Sequence, residues 1–164
     1  GGALMSLLLE PYTLRQLTLP NRIAVSPMCQ YSAVDGLAND WHLVHLGSRA
    51  VGGAGLVITE AVAVTADGRI TAEDLGLWDD AQIAPLQRIT RFITAQGAVP
   101  GIQLAHAGRK ASTYRPWLGK QGSVKLEDGG WQPVGPSKIA FDPQHTPPHE
   151  LNHEEIQNLS LIHI

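Results

Sequence analysis

Residues 56–59 read Leu56-Val57-Ile58-Thr59, a short apolar run rich in β-branched side chains. A run of this length and composition is typical of a buried strand. A second such run follows at 99–104 and reads Val99-Pro100-Gly101-Ile102-Gln103-Leu104. Proline donates no ladder hydrogen bond, so Pro100 is expected at the start of that strand. The two runs predict two strands of one sheet.

A helix is predicted between these strands, because apolar residues recur there at helical spacing and Gly97 follows them. The spaced residues are Ile83, Leu86, Ile89 and Ile93. Upstream, residues 23–26 predict another strand, and Asn39 or Asp40 is placed to cap a helix from 41 to about 51. The order β-α-β-α-β predicts an α/β fold with a parallel sheet. An open doubly wound sheet and an eight-fold barrel both begin in this way.

Composition excludes several classes of protein. The chain has 164 residues, of which 43% are hydrophobic and 16% charged, as in globular proteins. Its net charge is -3 and its basic residues are scattered, so the sequence does not favour nucleic-acid binding. No apolar run has the roughly 18 residues of a membrane span. Cys29 is the one cysteine, which precludes an internal disulfide and predicts a reducing compartment such as the cytoplasm.

Ligands of parallel α/β folds lie outside the carboxyl ends of the strands. The three ends run into residues 26–31, 59–61 and 103–110, and each carries polar or reactive groups. Cys29 is either a thiol close to a ligand or a small buried apolar residue. Tyr31 either donates a hydrogen bond to a substrate or only packs. Gln103 would be buried in a central strand, where its amide needs partners from a planar ligand or from the core.

Two other kinds of site remain open. His42 and His45 are three residues apart on the predicted helix and could face one metal, although no third ligand is evident. No glycine-rich loop separates the first strand from the first helix, which disfavours an open dinucleotide-binding sheet. A barrel is not disfavoured, since its phosphate site usually follows the seventh and eighth strands.

Several ordered motifs resemble the old yellow enzyme family. The segment 10–14 followed by Leu19-Pro20-Asn21-Arg22-Ile23 is similar to the family's opening. Ser26-Pro27-Met28-Cys29-Gln30-Tyr31 looks like its bacterial xenobiotic-reductase branch. Two further blocks follow in the family's order: residues 68–78, with Gly68-Arg69-Ile70 and Leu75-Gly76-Leu77-Trp78, and residues 103–110, which read Gln103-Leu104-Ala105-His106-Ala107-Gly108-Arg109-Lys110. The match covers about residues 7–156.

The resemblance implies a (β/α)8 barrel that binds FMN non-covalently and is reduced by NADPH or NADH. The reduced flavin of that family passes a hydride to an electron-poor acceptor, commonly the carbon–carbon double bond of an unsaturated carbonyl compound. By position, the flavin contacts would be Pro27, Met28, Cys29, Ala61 and Gln103. Cys29 would tune the flavin where the other branch has a threonine, and Tyr31 would contact the substrate. The family also implies a homo-oligomer.

The chain itself is expected to hold about three βα units of the barrel, in residues 7–157, with a long loop over 110–150. Residues 1–6 are expected to be a non-native or disordered leader, and 158–164 a non-native tail that fits the family's helix poorly. The family's substrate-binding histidines, proton-donating tyrosine and phosphate-binding arginine would come later. The chain alone is therefore expected to be inactive. A non-catalytic flavin-binding module and a metal-dependent hydrolase on a similar barrel are the alternatives.

Overall fold

The computed structural model describes residues 6–162. It begins with an antiparallel hairpin of β1 (Tyr12–Leu14) and β2 (Leu17–Leu19). Arg15 in its turn has a positive φ of 55°, and the Thr13 and Thr18 hydroxyls lie 3.0 Å apart across the pair. The predicted leader falls almost entirely outside the described residues; of it, Ser6 is described and is exposed.

A parallel sheet forms the centre of the fold. Its strands are β3 (Ala24–Val25), β4 (Leu56–Ala63), β5 (Leu75–Gly76) and β6 (Val99–Ala105). β4 is the middle strand, with β3 and β5 pairing at its two ends on one side and β6 along the other. Three of these strands are those predicted from the apolar runs. The two-residue β5 has no periodicity of its own and lies in a segment predicted as loop.

Two helices, α1 (Asp40–Val51) and α2 (Ile83–Ala95), cover one face of the sheet. Val57 of β4 points into the core between them and is fully buried. Leu46 of α1 and Ile93 of α2 pack on the same core. Burying an aliphatic side chain stabilises a fold by about 1.5–3 kcal/mol, so this contact fixes both helices on the strand between them.

Within residues 6–162, β6 pairs with β4 alone, so β6 is an outer strand here. Ile102 and Leu104 are consequently 45% and 42% exposed. Gln103 is exposed as well, because its burial was expected only in a central strand and β6 is not central within residues 6–162. The reason is that burial of Gln103 requires a strand on the far side of β6, and no described residue supplies one.

The segment 110–150 contains no helix longer than one turn. It is nevertheless held in place, because Ser112 and Thr113 bond the backbone of residues 69 and 70 and two short strands pair: β7 (Val134–Gly135) and β8 (His149–Glu150). Helix α3 (His153–Ile162) follows and continues through most of the region predicted as a foreign tail. No described helix is long and apolar enough to cross a membrane.

Candidate functional site

The carboxyl ends of β3, β4 and β6 lie side by side and bring most of the predicted site residues together. Residues 27–31 follow β3, Ala61 lies in β4, and Gln103 of β6 is its direct partner in the ladder. A β-bulge interrupts the register between Ile58 and Ala61. The Thr59 hydroxyl fills this gap, since it accepts from the Gln103 backbone N–H at 3.3 Å and donates to the Glu60 carbonyl at 2.9 Å.

The Cys29 thiol contacts two of the other predicted residues. The Ala61 backbone N–H and the Tyr31 hydroxyl both lie close enough to the thiol to lower its pKa. Burial raises the pKa of Cys29 above its ordinary value, and the charges of Asp74 and Glu60 raise it further. Cys29 is therefore a neutral thiol near pH 7, rather than a thiolate nucleophile.

Tyr31 has an unusual backbone, with a φ of 48° in the left-handed region that non-glycine residues rarely adopt. Burial raises the pKa of its phenol to about 12, so the hydroxyl keeps its proton at neutral pH. Its ring packs edge-on against Trp117, with centroids 5.8 Å apart. Trp117 lies in the 110–150 segment, which thus reaches the strand ends.

Three other predicted site residues lie near the strand ends without a side-chain contact to Cys29 or Tyr31. They are Pro27, Met28 and Gln103. Met28 is 40% exposed, and its carbonyl accepts from the Gln30 side-chain amide at 2.9 Å. Pro27 is half-buried. The exposed amide of Gln103 presents a donor and an acceptor to the space outside the strands.

Sequence reasoning passed over Glu60, which is 2% exposed and lies behind the Cys29–Tyr31 turn, residues 29–31. Its Oε1 accepts from the Gln30 backbone N–H at 3.2 Å. Its Oε2 lies 3.9 Å from Nε2 of His42, which is fully buried. The available signal was a carboxylate inside an apolar strand, because an ionisable group is rarely buried without a partner.

The structure does not bring His42 and His45 together as metal ligands. His42 Nδ1 accepts from the Asn39 backbone N–H at 3.0 Å and so completes the cap of α1. Burial lowers the pKa of His42 to about 4, which leaves its ring neutral. Among residues 6–162, no group of three or more histidine, cysteine, aspartate or glutamate side chains is placed to hold a metal ion.

The sequence model of one family, described as the NADH:flavin oxidoreductase / NADH oxidase family, matches residues 7–161. The chain belongs to that family. The resemblance to old yellow enzymes is thereby confirmed, and so is FMN as the family's cofactor. The match also extends over the first residues of the region expected to be a foreign tail, whose origin stays a prediction.

This family member is similar to an NADH:flavin oxidoreductase of Gibberella zeae, with 50% identity over 152 residues, which cover 91% of this chain and 37% of the relative. It is 46% identical over 157 residues to an NADPH dehydrogenase of Listeria monocytogenes, covering 94% of this chain and 42% of the relative. The chain thus spans about two fifths of the length of these relatives.

The fold of this family member is similar to that of the old yellow enzyme homologue from Zymomonas mobilis. The TM-score is 0.74 at 25% identity, over 94% of this chain and 42% of that one. The prediction that the chain forms the N-terminal part of a (β/α)8 barrel is therefore confirmed. β3, β4 and β6 are the first three barrel strands, and α1 and α2 are the helices between them.

Proposed function

We propose that the whole protein is an FMN-dependent oxidoreductase that takes a hydride from NADPH or NADH and reduces activated carbon–carbon double bonds. The observation that carries this proposal is the convergence of Cys29, Tyr31, Ala61 and Gln103 at adjacent strand ends. The names of the relatives, an NADH:flavin oxidoreductase and an NADPH dehydrogenase, support the reductant. Cys29, a free thiol, fits a reducing compartment such as the cytoplasm.

The residues at the strand ends fit a flavin. An isoalloxazine ring is flat and apolar, with an amide-like polar edge. Ala61 has a side chain small enough for a ring to approach its backbone. The exposed amide of Gln103, directly opposite Ala61 in the ladder, matches the donors and acceptors of the polar edge. Pro27 and Met28 would offer backbone groups at the neighbouring strand end.

Bound FMN would supply the hydride chemistry, and the protein would orient the reactants. Cys29 would lie at the ring as a neutral thiol, because burial raises its pKa. Tyr31 would contact the substrate through a phenol that keeps its proton, since its pKa is about 12. Trp117, packed on the Tyr31 ring, would limit access of water from the side of the 110–150 segment.

The 164-residue chain alone is proposed to be inactive. It supplies three of the eight strands that a closed barrel needs, and the outer face of β6 exposes Ile102 and Leu104. The phosphate site of such barrels usually follows the seventh and eighth strands of the barrel. Residues 6–162 contain no counterpart of these two barrel strands, since the short β7 and β8 form a separate pair. The whole protein is proposed to act as a homo-oligomer on small molecules.

The first experiment is a visible absorption spectrum of the full-length protein, freed of excess FMN. A flavin band that bleaches on anaerobic addition of NADPH and returns on addition of an unsaturated ketone is expected. A flavin that binds but is never reduced would instead indicate a non-catalytic flavin-binding module. A colourless protein that contains stoichiometric metal would favour the hydrolase. The same spectrum of the 164-residue chain is expected to show no flavin.

A further inference from the structure

Glu60 occupies the β-bulge of the middle strand, where the regular ladder is interrupted. Its side chain is 1% exposed. A buried carboxylate is costly unless it is paired or hydrogen-bonded, because burial removes it from water. The polar groups that surround Glu60 therefore indicate why a carboxylate is tolerated at this position of an otherwise apolar strand.

Each oxygen of this carboxylate faces an N–H group. Oε1 accepts from the Gln30 backbone N–H at 3.2 Å. Oε2 lies 3.9 Å from His42 Nε2, which is too long for a hydrogen bond, and neither of these two buried atoms has a hydrogen-bond partner within residues 6–162. Since Nδ1 of His42 accepts from the Asn39 backbone, the proton of the neutral ring is assigned to Nε2. His42 thus directs an N–H toward the second oxygen.

The Cys29–Tyr31 turn needs such support. Tyr31 is held at a φ of 48°, and a conformation of this kind costs on the order of 1–3 kcal/mol and persists only where the surroundings enforce it. The turn is also tied to α1, because Trp41 Nε1 donates to the Gln30 side-chain oxygen at 3.1 Å. The Glu60 bond differs in that its acceptor belongs to a buried carboxyl group, and it is the stronger constraint when that group is ionised.

We propose that Glu60, backed by His42, is a positioning residue that holds the Cys29–Tyr31 turn against the strand ends, so that the thiol meets the flavin and the phenol meets the acceptor. The inference rests on the proposed function for the identity of flavin and acceptor. The placement of the thiol itself depends only on contacts within this chain.

The holding contact is expected to depend on pH. The titratable groups that face Glu60 are His42 on α1, Asp74 ahead of β5, and Cys29 and Tyr31 on the turn. Burial raises the pKa of Glu60 to about 7; the Gln30 N–H opposes that rise and Asp74 adds to it. Below pH 7 the carboxyl is protonated and loses its charge-assisted bond, which loosens the turn.

The test compares Glu60→Gln with Glu127→Gln in the full-length holoenzyme. Glu60→Gln keeps the shape but places an amide N–H₂ against either His42 or Gln30. Glu127 lies on the 110–150 segment with a side chain 77% exposed, so Glu127→Gln is a matched loss of one carboxylate. In Glu60→Gln, alkylation of Cys29 by iodoacetamide at pH 8 should be about tenfold faster, because the thiol loses a raising charge and its turn is looser. Rates equal to those of Glu127→Gln overturn the proposal.

A kinetic split separates positioning from general damage. Glu60→Gln should raise KM for the unsaturated ketone about tenfold, the scale of one lost charge-assisted hydrogen bond, while NADPH reduces the flavin at an unchanged rate. An equal loss in both half-reactions overturns the proposal. If the full-length protein binds no FMN, the proposed function fails, and the alkylation comparison still decides the role of Glu60.

The unmodified protein provides a test that does not depend on the folding of a variant. A thiol held by a fixed turn gives an alkylation rate that rises tenfold per pH unit below its pKa. In a plot of the logarithm of the rate against pH, that dependence is a straight line. Loosening of the turn as Glu60 takes up a proton should add an inflection near pH 7, with rates above the straight line at lower pH. A straight line from pH 5.5 to 8.5 contradicts the proposal.

Discussion

Gln103 is the side chain whose role depends most on what lies outside the strand ends. Its amide is exposed and stands opposite Ala61. We predict that Gln103→Ala in the full-length protein weakens FMN binding roughly tenfold or more, because lost amide contacts cost about 1–3 kcal/mol. Titration of the apoprotein with FMN measures this. Gln96→Ala, an exposed change at the opposite end of the strands, is the control, and equal affinities in the two variants would refute the assignment.

The buried pair His42 and Glu60 gives a second prediction at this scale. The pKa of Glu60 is raised to about 7, so its contribution to stability is full below the unfolded value of 4.5 and falls as pH rises through 7. The pKa of His42 is lowered to about 4, so its contribution is full above 6.5 and falls as pH drops through 4. Between pH 4.5 and 6.5 the contribution of Glu60 to the free energy of unfolding falls with rising pH while that of His42 rises, and the two changes nearly cancel.

Glu60→Gln in the full-length protein should reveal the pH dependence of the free energy of unfolding that is due to His42. Relative to the unmodified protein, its free energy of unfolding should rise by roughly 2–3 kcal/mol from pH 4.5 to 6.5, since one unit of pKa shift corresponds to about 1.4 kcal/mol. Thermal denaturation across this range measures the effect. Parallel curves for the two proteins would show that the pair does not titrate as described.

At the scale of the element, α1 begins with a cap that also ties down the site. The Asn39 side-chain oxygen accepts from the Trp41 N–H at 3.0 Å, while its amide donates to the Ser32 carbonyl at 2.8 Å. We predict that Asn39→Ala costs about 1–2 kcal/mol of stability. Asn39→Asp keeps the acceptor and loses the donor, so it should retain most of that stability. Chemical denaturation of the full-length variants distinguishes them, and equal losses would contradict a capping role.

The elements that sequence could predict are those with a period of their own. The apolar spacing of α2 and the β-branched run in β4 are local signals, and both elements formed where expected. β5 has only two residues and exists because Leu75 pairs with Val62. The bulge depends on the Thr59 hydroxyl, and the Glu60–His42 contact joins groups far apart along the chain. Pairings of this kind have no pattern that a single stretch of sequence reveals.

At the scale of the whole molecule, the same substitutions on β6 should have opposite effects in the 164-residue chain and in the full-length protein. Ile102 and Leu104 are exposed here, whereas a barrel would cover them. We predict that the double variant Ile102→Lys, Leu104→Lys makes the 164-residue chain less prone to aggregate, because lysines on an outer strand oppose sheet-to-sheet association. In the full-length protein the same change should prevent folding, because it buries two charges.

Size-exclusion chromatography of both lengths measures this reversal. Leu126→Lys, at a side chain 74% exposed on the 110–150 segment, is the control and should alter neither length. An equal effect of the double variant on the two lengths would refute the prediction. The exposure of Gln103 has the same origin, since a sequence-based expectation of burial assumes neighbours that the described chain does not contain.

Arg69 connects the 110–150 segment to the rest of the fold through contacts that limit which substitutions are tolerated. Its guanidinium lies 5.1 Å from the ring centre of Trp78 and 4.9 Å from that of Trp131, so one cation contacts both rings. Loss of the cation leaves two indoles facing an empty gap, and loss of either indole uncovers one side of a partly desolvated charge. We therefore expect substitutions at these three positions to be tolerated together more readily than singly, which would couple changes in this long segment to changes in the loops that carry Arg69 and Trp78.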